Sequence, residues 1–163
     1  MLWGGIASVI YESLFNKRIK IKKEGINESK QKIRLLSMIF ILTGLFLASF
    51  FIFKLNSFLS SIIAFSIPTI IIYIRRKDLI KNSLISGVLV MILSIPLYFL
   101  LEFITPGWIG KIWLFKPQVF LYVTIEEYIW YFLVGAFIGP LYEYWKEGKL
   151  VDIKTKSKAK KKN

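Results

Sequence analysis

The sequence contains no cysteine and no histidine. These two absences exclude disulfides, thiol nucleophiles, imidazole bases, serine–histidine–aspartate triads and metal sites built from Cys and His. Aspartate occurs only at Asp78 and Asp152, so the aspartate-rich magnesium motif of membrane prenyltransferases is missing as well. We therefore expect neither a metal site nor a cofactor, and any chemistry falls to Glu, Tyr, Lys, Arg or the backbone.

Long apolar runs dominate the remaining composition. Of the 163 residues, 55% are hydrophobic, and the mean hydropathy is +0.57. A soluble domain of this length could bury one core without several unbroken apolar runs. Four runs approach the ~20 residues that a helix needs to cross a bilayer, and they cover residues 35–53, 57–74, 82–104 and 119–141. The sequence predicts an all-α, polytopic transmembrane helix bundle with four complete spans.

A further apolar segment, Met1–Phe15, is too short to span a membrane. Its Gly-xxx-Ser spacing followed by Tyr-Glu resembles a later segment, where Gly135-xxx-Gly139 is followed by Tyr142-Glu143. The likeness fits either an internal repeat or chance in so biased a composition. On the first interpretation, this segment is a partial N-terminal helix at the end of a preceding repeat, whose other half lies upstream or on another chain.

The chain carries a formal net charge of +13, and its basic residues fall in short blocks between the apolar runs. The blocks are a predicted cytoplasmic loop over 16–34, a cluster at 75–81 and a predicted disordered tail over 151–163. The connections at 54–56 and 105–118 carry few charges. This asymmetry predicts a multi-pass domain over 35–150 in the cell membrane, with a cytoplasmic C-terminus. No nucleic-acid motif accompanies the charge, so the expected partner is anionic lipid rather than nucleic acid.

Two adjacent carboxylates, Glu126 and Glu127, lie inside the fourth apolar run. An ionised side chain at mid-membrane costs roughly 3 kcal/mol, so acids at this depth are functional candidates. Their position about seven residues into the predicted span places them ~10 Å along the helix from its outer end. Glu102 lies near the outer end of the third run, so the three carboxylates could meet in the outer half of the bundle.

Aromatic residues surround this acidic pair in the sequence. On a helix, Glu126 shares a face with Tyr122 and Trp130, while Glu127 shares one with Tyr131. A carboxyl group removed from water is more stable in its neutral form, which can donate a proton, and aromatic faces can stabilise a resulting cation. This combination suits acid-initiated chemistry on a hydrophobic alkene. The candidate catalytic residues are Glu126 and Glu127, and the candidate substrate-binding residues are Tyr122, Trp130, Tyr131 and Glu102.

The same residues allow other interpretations. The two glutamates could simply hydrogen-bond to neighbouring helices or pair with Lys111 or Lys116 at the membrane interface. The aromatic residues could serve packing alone. Gly135-xxx-Gly139 is best explained as a close-packing surface against another helix, and the Tyr-Glu pair that follows it as a cap at the inner interface. A buried acidic pair could also bind a cation or relay protons in a non-enzymatic transporter subunit or scaffold partner.

The run Trp113–Glu143 contains an aromatic-x-Phe-x-Pro sequence, then Thr124-Ile125-Glu126-Glu127, then Trp130-Tyr131. These motifs resemble the lycopene cyclase domain family of integral membrane proteins, with Thr124 at the proline of the hallmark Pro-x-Glu-Glu. The resemblance implies duplicated helical units that are sometimes divided between two chains, and hence a homo- or hetero-oligomer. It also implies that Glu126 and Glu127 protonate a hydrophobic isoprenoid substrate, which closes a ring without net redox change.

Overall fold

The computed structural model describes residues 17–20, 28–107, 119–120, 123–147 and 149–152. Most of this part is helical, and its four α-helices are α1 (Glu28–Leu47), α2 (Ser57–Arg75), α3 (Ile80–Ile104) and α4 (Ile125–Lys146). A π-helical turn, Ala48–Ile52, extends α1, and a 3-10 turn, Lys77–Leu79, precedes α3. The predicted partial helix at Met1–Phe15 and residues 153–163 of the predicted tail lie outside the described residues.

Two short antiparallel pairings accompany the helices. Strand β1 (Lys17–Lys20) pairs with β4 (Lys149–Asp152), and β2 (Val119–Phe120) pairs with β3 (Val123–Thr124). β1 belongs to the predicted basic loop, and β4 follows α4 and runs into the predicted basic tail. Their pairing therefore joins the two basic segments, which the charge pattern predicted to lie on one side of the membrane.

Within the described residues, three helices are long and apolar enough to cross a membrane: Glu28–Ile52, Ser57–Arg75 and Lys77–Ile104. The predictions over 57–74 and 82–104 agree closely with the second and third. The first helix begins at Glu28 rather than at residue 35, because the polar residues before the apolar run are themselves good helix formers. Glu28 in the first turn also interacts favourably with the helix dipole.

The prediction of four complete spans is not confirmed, because α4 is not among these three helices. It begins at Ile125, whereas the apolar run begins at Val119. The run starts with β-branched and aromatic residues, which favour extended backbone, and Thr124 is still extended, with φ −73° and ψ 155°. The part of this run that lies in α4 begins at Ile125. It has fewer apolar residues than the ~20 of a span and contains both Glu126 and Glu127.

The helices place apolar side chains outside and polar side chains inside. Phe40 is 77% exposed and Phe103 is 85% exposed, while Ser60, Ser83 and Glu126 are fully buried. Soluble monomers rarely expose contiguous apolar patches of more than a few hundred Å². Together with the three apolar helices, this distribution indicates a membrane protein.

The closest helix pair is α3 and α4, and glycines make its approach possible. A Cβ atom on Gly135 would lie 2.8 Å from the carbonyl oxygen of Ser86, and one on Gly139 would meet the Ser86 side chain. Across the same contact, the Ser83 hydroxyl donates a 2.6 Å hydrogen bond to the Ala136 carbonyl. The prediction that Gly135-xxx-Gly139 is a close-packing surface is therefore confirmed.

Candidate functional site

The acidic pair lies in the first turn of α4. Glu126 is fully buried and Glu127 is 2% exposed, so the expected withdrawal of both side chains from solvent is confirmed. Their expected position about seven residues into a helix is wrong, because α4 begins at Ile125. The dipole at the helix N-terminus therefore favours the ionised form of both carboxyl groups, an effect that a position in mid-helix would not provide.

An aromatic cluster lies about one turn further along α4 and joins three helices. The Tyr131 ring packs edge-on against Trp130, with ring centres 5.0 Å apart, and against Tyr98 of α3, at 5.9 Å. Phe65 of α2 contacts Trp130 edge-on at 6.4 Å. The structure thus brings together the predicted Trp130 and Tyr131 and adds two residues that sequence reasoning missed. The lone Tyr98 of the third apolar run was a detectable signal, whereas Phe65 is one of many phenylalanines.

Buried hydroxyl groups lie near the same end of the bundle. Thr124, directly before α4, is 3% exposed, and its Oγ1 has no hydrogen-bond partner within the described chain. The Ser60 hydroxyl of α2 is fully buried and also has no such partner. Helices α2 and α4 run in the same direction, because Arg75 at the end of α2 contacts Tyr144 in the last turn of α4. Ser60 therefore lies level with the first turns of α4.

Glu102, the third predicted carboxylate, serves a local role. Its Oε1 accepts a 2.8 Å hydrogen bond from the backbone N–H of Gly107, which has a positive φ of 77°. The side chain therefore stabilises the turn that follows α3, and glycine suits that turn because other residues rarely adopt this φ. A shared site with Glu126 and Glu127 stays a prediction for Glu102.

Three residues of the sequence-based hypothesis lie outside the described residues. They are Tyr122, predicted to share a face with Glu126, and the possible ion-pair partners Lys111 and Lys116. Among the residues that are described, no group of three or more Asp or Glu side chains is arranged to hold a metal ion.

Charged residues gather at the opposite end of the bundle, around Tyr144. Arg34 of α1 donates a 3.2 Å hydrogen bond to the Tyr144 carbonyl, and its guanidinium carbon lies 5.5 Å from the centre of the Tyr144 ring. Arg75 donates a 2.9 Å hydrogen bond to the Tyr144 hydroxyl, and Arg34 pairs with Glu147 at 2.6 Å. Sequence reasoning expected Tyr142 and its neighbour to cap this end, whereas the described contacts centre on Tyr144.

The connection between α2 and α3 adds a second ion pair at this end. Arg76 donates to both carboxylate oxygens of Asp78, at 2.8 and 2.6 Å. The hydrogen bond to Asp78 raises the pKa of Arg76, so this guanidinium stays charged and its charge is already matched. The basic residues at the start of α1, after α2 and at the end of α4 thus share one end of the bundle, as the charge pattern predicted.

The fold and the site together define a helical membrane protein with a buried acidic pair at one end and an arginine–tyrosine cluster at the other. Searches of protein-family models, curated proteins and solved structures find no match to this chain. The likeness to lycopene cyclase domains therefore depends on sequence motifs, chiefly those of residues 113–143, and the activity it implies is a proposal.

Proposed function

We propose that this chain is an integral membrane protein that starts the cyclisation of a polyisoprenoid of the carotenoid type by donating a proton from a buried carboxyl group. The observation that carries the proposal is the burial of Glu126 and Glu127 within a bundle whose outer surface is apolar. A proton added to a terminal double bond leaves a carbocation, which forms a carbon–carbon bond to a second double bond. Loss of a proton from the ring then restores the alkene without net redox change.

Burial supports the acidic role through the cost of a charge away from water. An ionised carboxylate between membrane helices costs ~3 kcal/mol or more, while the neutral acid avoids that cost and can act as a donor. The rings of Trp130, Tyr131 and Tyr98 lie close by, and a ring face stabilises a nearby cation by about 0.5–2 kcal/mol. Glu126 is the first choice for the donor, because it is fully buried and Trp130 follows it by one helical turn.

The test is expression of the full chain in cells that make lycopene, with the pigments separated by chromatography. We expect cyclised pigment with the native chain and none with Glu126→Gln, which removes the acidic proton but keeps the side-chain shape. Glu28→Gln is the matched control, because it removes an exposed glutamate from the first turn of α1 and should leave the product unchanged. Full turnover by Glu126→Gln, at equal amounts of inserted protein, would refute the assignment.

A non-enzymatic membrane component, such as a transporter subunit or a scaffold partner, is the second candidate. It is favoured by the low burial of α1. The most apolar 18-residue stretch of this helix is 11% buried in the bundle, against 28% for the corresponding stretches of α2 and α3. A helix with so much free apolar surface suits lateral association with another membrane chain. This function predicts that the native chain leaves the pigments unchanged. It also predicts neighbouring genes that encode transport ATPases. Cyclised pigment that depends on Glu126 would exclude it.

A further inference from the structure

Two of the three described arginine side chains at the charged end have a carboxylate partner. Arg34 pairs with Glu147, and Arg76 forms two hydrogen bonds with Asp78. Each of these positive charges is therefore matched within the chain, and neither guanidinium needs a further anion.

Arg75 differs from both of them. It is the last residue of α2, it is exposed, and its Nη1 donates to the hydroxyl of Tyr144. Within the described part of the chain, no carboxylate lies within ion-pair distance of it. A guanidinium carries five N–H donors in a planar fork, so most of its donors remain available to an anion.

The surroundings of Arg75 indicate what kind of anion would bind. Ile74, directly before it, is 72% exposed on the apolar surface of α2, while Lys77 and Lys81 beyond it are exposed and basic. Arg75 therefore lies where a membrane-spanning helix passes from the hydrocarbon layer to the headgroup layer. An anion at this depth with an attached acyl chain would contact both the guanidinium and the apolar surface.

Tyr144 holds the guanidinium in place. Tyr144 is 3% exposed, its ring lies next to Arg34, and its hydroxyl accepts the hydrogen bond from Arg75. A guanidinium fixed in this way loses little side-chain entropy when it binds a ligand, which is an advantage over a mobile surface lysine.

We propose that Arg75, positioned by Tyr144, binds the phosphate group of an anionic phospholipid at the charged end of the bundle. The class of partner was expected from the overall charge, whereas the binding residue comes from the structure. Arginine forms paired hydrogen bonds with phosphate oxygens, and the acyl chains would lie along the exposed apolar surface of α2. This proposal is independent of the proposed cyclisation, because it concerns the opposite end of the bundle.

The test uses the full chain purified in a neutral detergent. Thermal unfolding, followed by the fluorescence of its five tryptophans, is measured during titration with short-chain phosphatidylglycerol, with short-chain phosphatidylcholine and with sodium phosphate. We expect the anionic lipid to stabilise the native chain at much lower concentration than either alternative. Arg75→Gln should weaken this lipid affinity by about tenfold, as expected for the loss of one charge-assisted contact.

Matched variants separate a specific site from general charge attraction. Arg76→Gln lowers the net charge by the same amount one residue away, but the Arg76 guanidinium already binds the Asp78 carboxylate and is not part of the proposed site. Lipid affinity should therefore stay within about twofold of the native value. Tyr144→Phe keeps the charges of Arg75 and Arg76 and removes only the hydroxyl that positions Arg75. It should therefore weaken lipid binding less than Arg75→Gln. Arg75→Lys keeps the charge and should retain part of the affinity, provided that circular dichroism shows native helix content.

Three outcomes would overturn the proposal. Equal losses for Arg75→Gln and Arg76→Gln would show that the lipid responds only to overall charge. An Arg75→Gln chain with native lipid affinity would exclude this residue from binding. Stabilisation by sodium phosphate as strong as that by the anionic lipid would show that the site binds free phosphate and does not use the acyl chains.

Discussion

The contact between α3 and α4 predicts that Gly135→Ala destabilises the protein strongly for so small a change. The added Cβ would lie 2.8 Å from both the Ser86 carbonyl oxygen and the Val90 Cβ, and 2.9 Å from the Gly87 Cα. Carbon atoms prefer separations of about 3.5–4.0 Å, and two of these three neighbours are backbone atoms that no side-chain rotation can move. The helices must therefore separate, and overpacking of this kind costs about 1–3 kcal/mol.

Gly44→Ala is the matched control, because a Cβ on Gly44 of α1 has no neighbour within 4 Å. Alanine favours helix over glycine by up to about 1 kcal/mol, so this variant should be neutral or slightly stabilised. The two variants should differ by about 2 kcal/mol in the free energy of unfolding. The measurement is unfolding of the purified chain in mixed micelles of increasing sodium dodecyl sulfate content, followed by circular dichroism.

A third glycine tests the geometry of the same contact. The Cβ of Gly139→Ala would meet the Ser86 side chain rather than its backbone, so removal of that side chain should make room for it. We expect Ser86→Gly to restore much of the stability lost in Gly139→Ala, and to restore none of that lost in Gly135→Ala. Equal free energies of unfolding for Gly135→Ala and Gly44→Ala, or rescue of both α4 variants by Ser86→Gly, would refute the described packing.

Two further predictions concern the charged end and the orientation of the bundle. Arg34→Ala should cost more stability than Glu147→Ala in the same unfolding assay. Both variants remove a partly exposed ion pair that contributes about 1 kcal/mol or less, but only Arg34→Ala also removes the contacts with Tyr144. A larger loss in Glu147→Ala would contradict this. Because the native chain lacks cysteine, single variants Lys54→Cys and Lys77→Cys can be labelled in intact cells with an impermeant maleimide. We expect labelling of the first only, and the reverse pattern would place the basic end outside.

The apolar runs predicted the positions of α2 and α3 but not the start of α1 or α4. A span is recognised from its length and hydropathy, which the middle of each run determines. The first residue of a helix depends instead on local backbone preference and capping. Here polar residues extend α1, while Val123 and Thr124, directly before α4, are extended. Hydropathy alone treats those extended residues as part of the span, which explains the misplaced start of α4.

The burial of the acidic pair was predictable, whereas its neighbours were not. Two carboxylates inside an apolar run must lie between helices or stay near an end, and Glu126 and Glu127 do both. The contacts of Tyr98 and the position of Ser60 depend on the register between helices, which a single sequence does not determine. The position of Glu102 in its apolar run predicts the same site, but its hydrogen bond is to the turn that follows its own helix.

The position of the pair in the first turn of α4 sets two effects against each other. The helix dipole favours an ionised carboxylate there by about 0.3–1 kcal/mol, or up to ~2 kcal/mol where the group is partly buried. Removal from water disfavours the same charge by several kcal/mol unless a cation or several donors compensate for it. Glu126 and Glu127 are both buried in the first turn of α4, so both effects act on them. For a proton donor in the first turn of α4, burial must outweigh the helix dipole. The isosteric glutamine variants test this, because they remove the acidic proton and keep the packing.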